Sequence, residues 1–196
     1  HVGELALTRE AEGRGAAAIE TAKWYREVFD GHYYLEVMDH ADEKFTRYNP
    51  VIAGIGRELG IQVVAHIVGT FGMRPTFDAL AAAGAFGPDN LFMHMTGMSD
   101  FAWQKVRDAG AAVSLAVPIE MNMRHGTPPI QKALDLGIQP SLSTDVECTL
   151  TADMFTQMRS TMALQRMFIN SRALGENGPA ETSLPALLKA RDVLRF

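Results

Sequence analysis

The sequence predicts an α/β fold on parallel strands: part of a (β/α)8 barrel, with about five strands and their intervening helices. Three observations predict it. Apolar, β-prone segments centred near residues 35, 64, 93, 115 and 142 recur at intervals of roughly 22–29 residues, with helical segments between them. Regular β-α alternation means parallel strands joined by right-handed helical crossovers. The runs IQVVAHIV (61–68) and LFMHMTG (91–97) lack polar alternation, as strands covered on both faces do. Lastly, His66, His94 and Asp145 fall at or near the carboxyl ends of such runs, where parallel α/β folds carry function.

An open doubly wound sheet is the competing architecture. The absence of GxGxxG and of a P-loop weighs against its nucleotide-binding form. A complete barrel takes about 250 residues, so the 196 residues here would form part of one, as a single domain over 1–196.

In chain order, residues 7–30 read as a helix with Ala18, Ile19, Ala22, Trp24 and Val28 on one face, closed by Asp30-Gly31. HYYLEVM at 32–38 is β-rich and short. A charged loop follows, then a helix over 50–59 that stops at Gly60. The strand 61–68 leads through a loop at 69–75 to an Ala-rich helix at 76–85. The strand 90–95 is followed by a helix capped by Ser99 or Asp100 and ended by Gly110. AAVSLAVP at 111–118 reads as a strand, with a polar loop behind it. Thr127 and Pro128 read as a cap and first-turn proline for a helix over 130–136, stopped by Gly137. The strand run 138–145 ends in Ser-Thr-Asp. A long helix over 152–173 is expected to turn Met154, Phe155, Met158, Met162 and Leu164 inward. A Gly/Pro linker at 176–181 precedes a last helix capped by Ser183. The eleven methionines, Met93, Met95 and Met98 among them, read mostly as core filling.

Composition narrows the function classes. The chain is 47% hydrophobic and 21% charged, as an ordinary globular domain is. Net charge is −5 with scattered basic residues, so no nucleic-acid surface is expected. No apolar run reaches the roughly 20 residues of a membrane span. The single Cys148 excludes an internal disulfide and suits a reducing, cytoplasmic setting. The first residue is His1, and DVLRF ends the sequence as an uncapped helix would; both ends read as interior cuts of a longer protein.

A lone His in an apolar run is usually a hydrogen-bonded core residue, and His66 and His94 each admit that reading. Asp145 is harder to explain so, since an ionised carboxylate at the end of a buried strand is costly unless paired or coordinated, although Ser143 and Thr144 stand beside it. Together the three supply imidazole and carboxylate donors of the kind that hold Zn²⁺ or Fe²⁺. A metal lowers the pKa of bound water to about 7, and a neighbouring carboxylate takes the proton. His125 lies in the loop MNMRHGTPP, within reach of a substrate or of solvent, with Glu120 and Arg124 similarly open. Glu147 reads as a neighbour of the site or plain surface, His40 as following a strand end, and His32 as lying at the wrong end of its strand. Cys148 has no evident paired base.

The run from HMTGMSDFAWQKV through AVPIEMNMRHGTPPIQKALDLGIQPSLSTDVECTLTADMFTQMR resembles the carboxyl-terminal barrel half of the amidohydrolase superfamily. Its nearest likeness is the cytosine-deaminase-like branch, which includes triazine chlorohydrolases and purine deaminases. G-T-P-P-I and the S-T-D tip carry the resemblance, which spans nearly the whole chain. It implies a metal-dependent hydrolase cleaving a C–N or C–Cl bond on a small cyclic substrate. His66 then matches the metal-ligating His of the family's fifth strand. His94 matches the strand-six His that contacts substrate or hydrolytic water. Asp145 matches the strand-eight Asp that binds metal and moves the proton, and His125 lies where members place substrate contacts. The family's strand-one H-x-H pair does not occur in the sequence, and Gly69 stands where many deaminases of the branch have a Glu. Weak metal binding and little activity are therefore expected of this chain alone. The expected partner is a small molecule, and a homo-oligomer is compatible with the sequence. Two other readings stay open: a non-catalytic α/β segment with structural histidines, and a metal-free open-sheet enzyme using His94 as base.

Overall fold

The computed structural model describes residues 35–37, 56–57, 59–146 and 152–196. The predicted helix over 7–30, His32, His40, Glu147 and Cys148 lie outside the described residues, as does most of the helix over 50–59.

Among the described residues five strands form one parallel sheet: β1 (Leu35–Val37), β2 (Val63–Val68), β3 (Asn90–Thr96), β4 (Ala112–Leu115) and β5 (Ser141–Leu142). Their spatial order is their sequence order. A doubly wound sheet reverses direction at a switch point; this one advances strand by strand, as the wall of a barrel does. The helices between are α1 (Arg74–Ala82), α2 (Asp100–Asp108), α3 (Val117–Asn122) and α4 (Ile130–Asp135), with α5 (Met154–Leu174) and α6 (Ala190–Val193) after β5.

Strand alternation sorts β2 into two sets. Val63, Ala65 and Ile67 join the main buried cluster with Phe77 of α1, Trp103 and Val106 of α2, and Ile130 and Ala133 of α4. Val64, His66 and Val68 occupy the other face. Phe77, Phe86 and Phe92 meet with ring centroids 4.7–5.0 Å apart, in edge-to-face and tilted arrangements favoured by ring quadrupoles.

Local chemistry explains the helix limits. The Ser99 hydroxyl accepts from the Ala102 N–H at 3.0 Å, with Asp100 in the first turn of α2 and Lys105 and Arg107 in the last, matching the helix dipole. Asp153 caps α5 by accepting from the Phe155 and Thr156 N–H groups at 2.9 and 3.1 Å. Gly175, at φ 69°, ends it.

Four expectations are corrected. The segment 111–118 is a strand only to Leu115, because Pro118 sits in the first turn of α3, where a missing N–H costs nothing. The polar loop expected behind it is therefore partly helix. Thr127 does not cap α4, which starts past Pro128 and Pro129 with no side-chain cap; a residue preceding proline is driven to extended backbone. Met154 and Phe155 are exposed, and the buried stripe of α5 is Gln157, Thr161, Gln165 and Ile169; Met158, Met162 and Leu164 are partly buried against the core. Finally, Ser183 caps nothing: α6 begins at Ala190, where Lys189 N–H is accepted by the Asp192 carboxylate at 2.7 Å. The segment before it is engaged by α5 instead. Gln165 Nε2 donates to Ala186 O, Leu188 N–H donates to Gln165 Oε1, and Arg166 Nε donates to Leu188 O.

Candidate active site: a histidine and carboxylate cluster

β2 delivers His66 two residues before its end. The carboxyl end of β3 then departs from regular pleating. His94 and Met95 both have left-handed backbone, φ 70° and 56°. The pairing slips there: Ile67 faces His94, and Val68 faces Thr96. One residue is extra on β3, a bulge that re-aims the side chains around it. Met95 takes the place in the helix-covered core, and His94 turns to meet His66.

The two rings meet with His66 Nδ1 3.4 Å from His94 Nε2. Asp145 Oδ2 lies 3.8 Å from the same Nε2. Asp145 too is left-handed, φ 56°, and its N–H donates to the Ser143 hydroxyl at 3.1 Å. Ser143 thus shapes the turn and leaves the carboxylate to other partners. His125 packs its ring edge-on against His94, centroids 4.7 Å apart, with Phe71 on another side at 5.1 Å. The Thr70 hydroxyl fixes this loop through the carbonyls of Arg124 and His125, at 3.0 and 2.9 Å.

His125 is buried. Burial pushes its pKa down, and neighbouring His94 pushes the same way. Arg124 is exposed, as expected. Glu120 is not. It is fully buried on α3, with Oε1 3.3 Å from His94 Nδ1 and accepting from the Ala116 N–H at 2.8 Å. Burial pushes this carboxyl up, while the His94 and Ala116 hydrogen bonds pull it back. The sequence pattern predicts a loop with Glu120 open, whereas the residue lies on a buried helix. Pro118 two residues ahead, with apolar Val117 and Ile119, was the available signal.

The donor chemistry of His66, His94 and Asp145 suits zinc or ferrous iron. Two ligands of one zinc, each about 2.0–2.1 Å from it, stand roughly 3.3 Å apart, close to the His66–His94 spacing. The described residues nevertheless hold no group of three or more His, Cys, Asp or Glu side chains arranged to grip a metal ion. Among the described residues no helix is long and apolar enough to cross a membrane.

No protein-family model matches the sequence. Over 114 residues the chain is 31% identical to 5'-deoxyadenosine deaminase of Methanosarcina mazei, a stretch covering 58% of this chain and 23% of that protein. Among solved structures, a mutant atrazine chlorohydrolase of Arthrobacter aurescens TC1, complexed with zinc and atraton, superposes with a TM-score of 0.67 at 12% identity, over 92% of this chain and 41% of that one. A zinc-bound adenosine deaminase of Xanthomonas campestris superposes with a TM-score of 0.63 at 15% identity, over 79% of this chain and 38% of that one. The chain thus spans about a quarter to two fifths of the length of these proteins. The two structures bear out the partial-barrel fold, and the match to a deaminase over 114 residues is of the kind the sequence resemblance implies.

Proposed function

We propose that the chain is part of the catalytic barrel of a metal-dependent amidohydrolase that cleaves a C–N or C–Cl bond on a small cyclic substrate, with zinc or iron held by His66 and Asp145. One observation supports it above others: His94 Nε2 faces both His66 Nδ1 and Asp145 Oδ2, at 3.4 and 3.8 Å, across the ends of β2, β3 and β5. The deaminase and chlorohydrolase relatives favour this reading over a non-catalytic segment.

A divalent metal bound there supplies Lewis-acid activation of water near neutral pH. Asp145, with its side chain 18% exposed, can exchange protons with solvent and takes the proton from the attacking water. His94, 3% exposed, has Nε2 3.8 Å from Asp145 Oδ2; it takes from Asp145 the proton removed from water and so meets the charge that develops on the substrate. His125 and Phe71 wall the cluster, and His125 contacts the substrate ring. A cytoplasmic setting goes with a single Cys148.

The test is metal content by mass spectrometry on the full-length gene product, with His66→Ala and Asp145→Ala beside it. Ammonia or chloride release is then followed from a panel of amino- and chloro-substituted heterocycles. Near-stoichiometric zinc or iron that falls in both variants, with turnover of one panel member, is the expected result. A wild-type protein that binds neither metal and turns over nothing sinks the proposal.

A further inference from the structure

His94 is held between two carboxylates in unlike surroundings. On the Nε2 side stands Asp145, partly open to solvent, and on the Nδ1 side Glu120, fully buried. Nothing in α3 asks for a carboxylate there. Its other buried residues, Val117, Pro118 and Ile119, are apolar, and burying an acidic group is unfavourable without partners. Oε1 of Glu120 has two partners, His94 Nδ1 and the Ala116 N–H. Oε2 is buried and has none among the described residues.

A second observation concerns Gly69, three residues after His66. A Cβ added there would lie 2.7 Å from the carbonyl oxygens of both Thr96 and Gly97. The ends of β2 and β3 approach too closely for any side chain at that place. The carboxylates that reach this cluster therefore come from elsewhere in the sheet, Asp145 after β5 and Glu120 after β4.

A neutral imidazole carries one N–H and one lone pair, and the hydrogen bond at one nitrogen decides which role falls to the other. We infer that Glu120 is a positioning residue that fixes His94 in the Nδ1–H tautomer, so that Nε2 is the lone-pair atom facing His66 and Asp145. The N–H at His66 Nδ1 can then donate to His94 Nε2, and the two hydrogen bonds run in one direction from His66 through His94 to Glu120. Only the consequence for metal binding rests on the hydrolase reading; the tautomer does not.

The experiment is two-bond ¹⁵N–¹H spectroscopy of histidine-labelled, full-length, metal-stripped protein at about pH 8, above the ordinary His range, with His94→Gln to assign the ring. Glu120→Gln keeps an acceptor in the place of Oε1. Glu120→Met removes it at similar volume. Wild type and Glu120→Gln are expected to show Nδ1–H, and Glu120→Met the Nε2–H form that free histidine favours. An Nε2–H ring in the wild type overturns the inference, as does an Nδ1–H ring that persists in Glu120→Met. Should Glu120→Met fail to fold, the wild-type spectrum still decides. With metal restored, the affinity of the His66 and Asp145 site is expected to fall severalfold in Glu120→Met, where an N–H at His94 Nε2 would face it, and to recover in Glu120→Gln. Equal affinity in the two variants contradicts the positioning role. A wild type that shows Nδ1–H yet binds no metal overturns the hydrolase reading and leaves the tautomer standing.

Discussion

His66 and His94 meet, with Nδ1 3.4 Å from Nε2, although the pairing register sets His94 opposite Ile67, a residue of the helix-covered core. The extra residue on β3 resolves the contradiction. Met95 is absorbed into the core and His94 is turned out of it. The left-handed backbone at both residues is the local cost, on the order of 1–3 kcal/mol for each.

The two residues of the bulge should therefore separate stability from activity. Met95 is completely buried, so Met95→Ala is expected to cost about 2–5 kcal/mol while the His94 side chain is retained. His94→Ala is expected to cost less stability and to abolish turnover. Urea unfolding beside a turnover assay checks both, and an equal loss of stability in the two variants would refute the division of roles.

Gly69→Ala places a methyl group 2.7 Å from two carbonyl oxygens. Backbone atoms cannot rotate away as a flexible side chain does, so the ends of β2 and β3 must part. A loss of about 1–3 kcal/mol is expected, as for other overpacked sites, with the His66–His94 spacing disturbed. Chemical denaturation measures the first, and histidine ring shifts report the second.

Gln165 ties α5 to the segment ahead of α6 and also donates to Gln131 Oε1 at 2.8 Å. Gln165→Leu fills similar space but strips Leu188 N–H and Ala186 O of their partner. An unsatisfied buried group costs about 1–3 kcal/mol. Hydrogen exchange at Leu188 should quicken in the variant, and unchanged exchange would show that this amide is not held by Gln165.

Acid should weaken the carboxyl-terminal part of the chain. The Thr156 hydroxyl and the Phe155 N–H hold the Asp153 carboxyl below its ordinary range, and Arg172 does the same for Glu181. Their folded pKa values lie under the unfolded ones of about 3.9 and 4.3. The unfolded chain therefore takes up protons first as pH falls. The stability they contribute is complete above that range and drains away as pH drops through the folded values. Thermal melts from about pH 7 to 3 are expected to fall less steeply in the double variant Asp153→Asn and Glu181→Gln than in the wild type.

Much of this was legible in the sequence. Unbroken apolar runs at 61–68 and 90–95 announced strands buried on both faces, and Ser99, Gly110 and Gly137 set helix limits through local hydrogen bonding and backbone freedom. Those signals act within a few residues, so a sequence carries them whole. The helix starts at Thr127 and Ser183 were misread because both have suitable side chains. Two prolines prevented the first, and contacts to a helix some twenty residues away prevented the second.

The sequence by itself determined the β-α order, the parallel sheet and the placing of His66, His94 and Asp145 near strand ends, because hydrophobic period and turn chemistry are local. Only the tertiary structure decided which of these meet. A single inserted residue on a strand exchanges its two faces, so no pattern along the chain could reveal that His94 joins His66 while Met95 takes the core. Nor could it reveal that Glu120 is the buried partner of His94, because that contact spans 26 positions and exists only once β3 and β4 are paired.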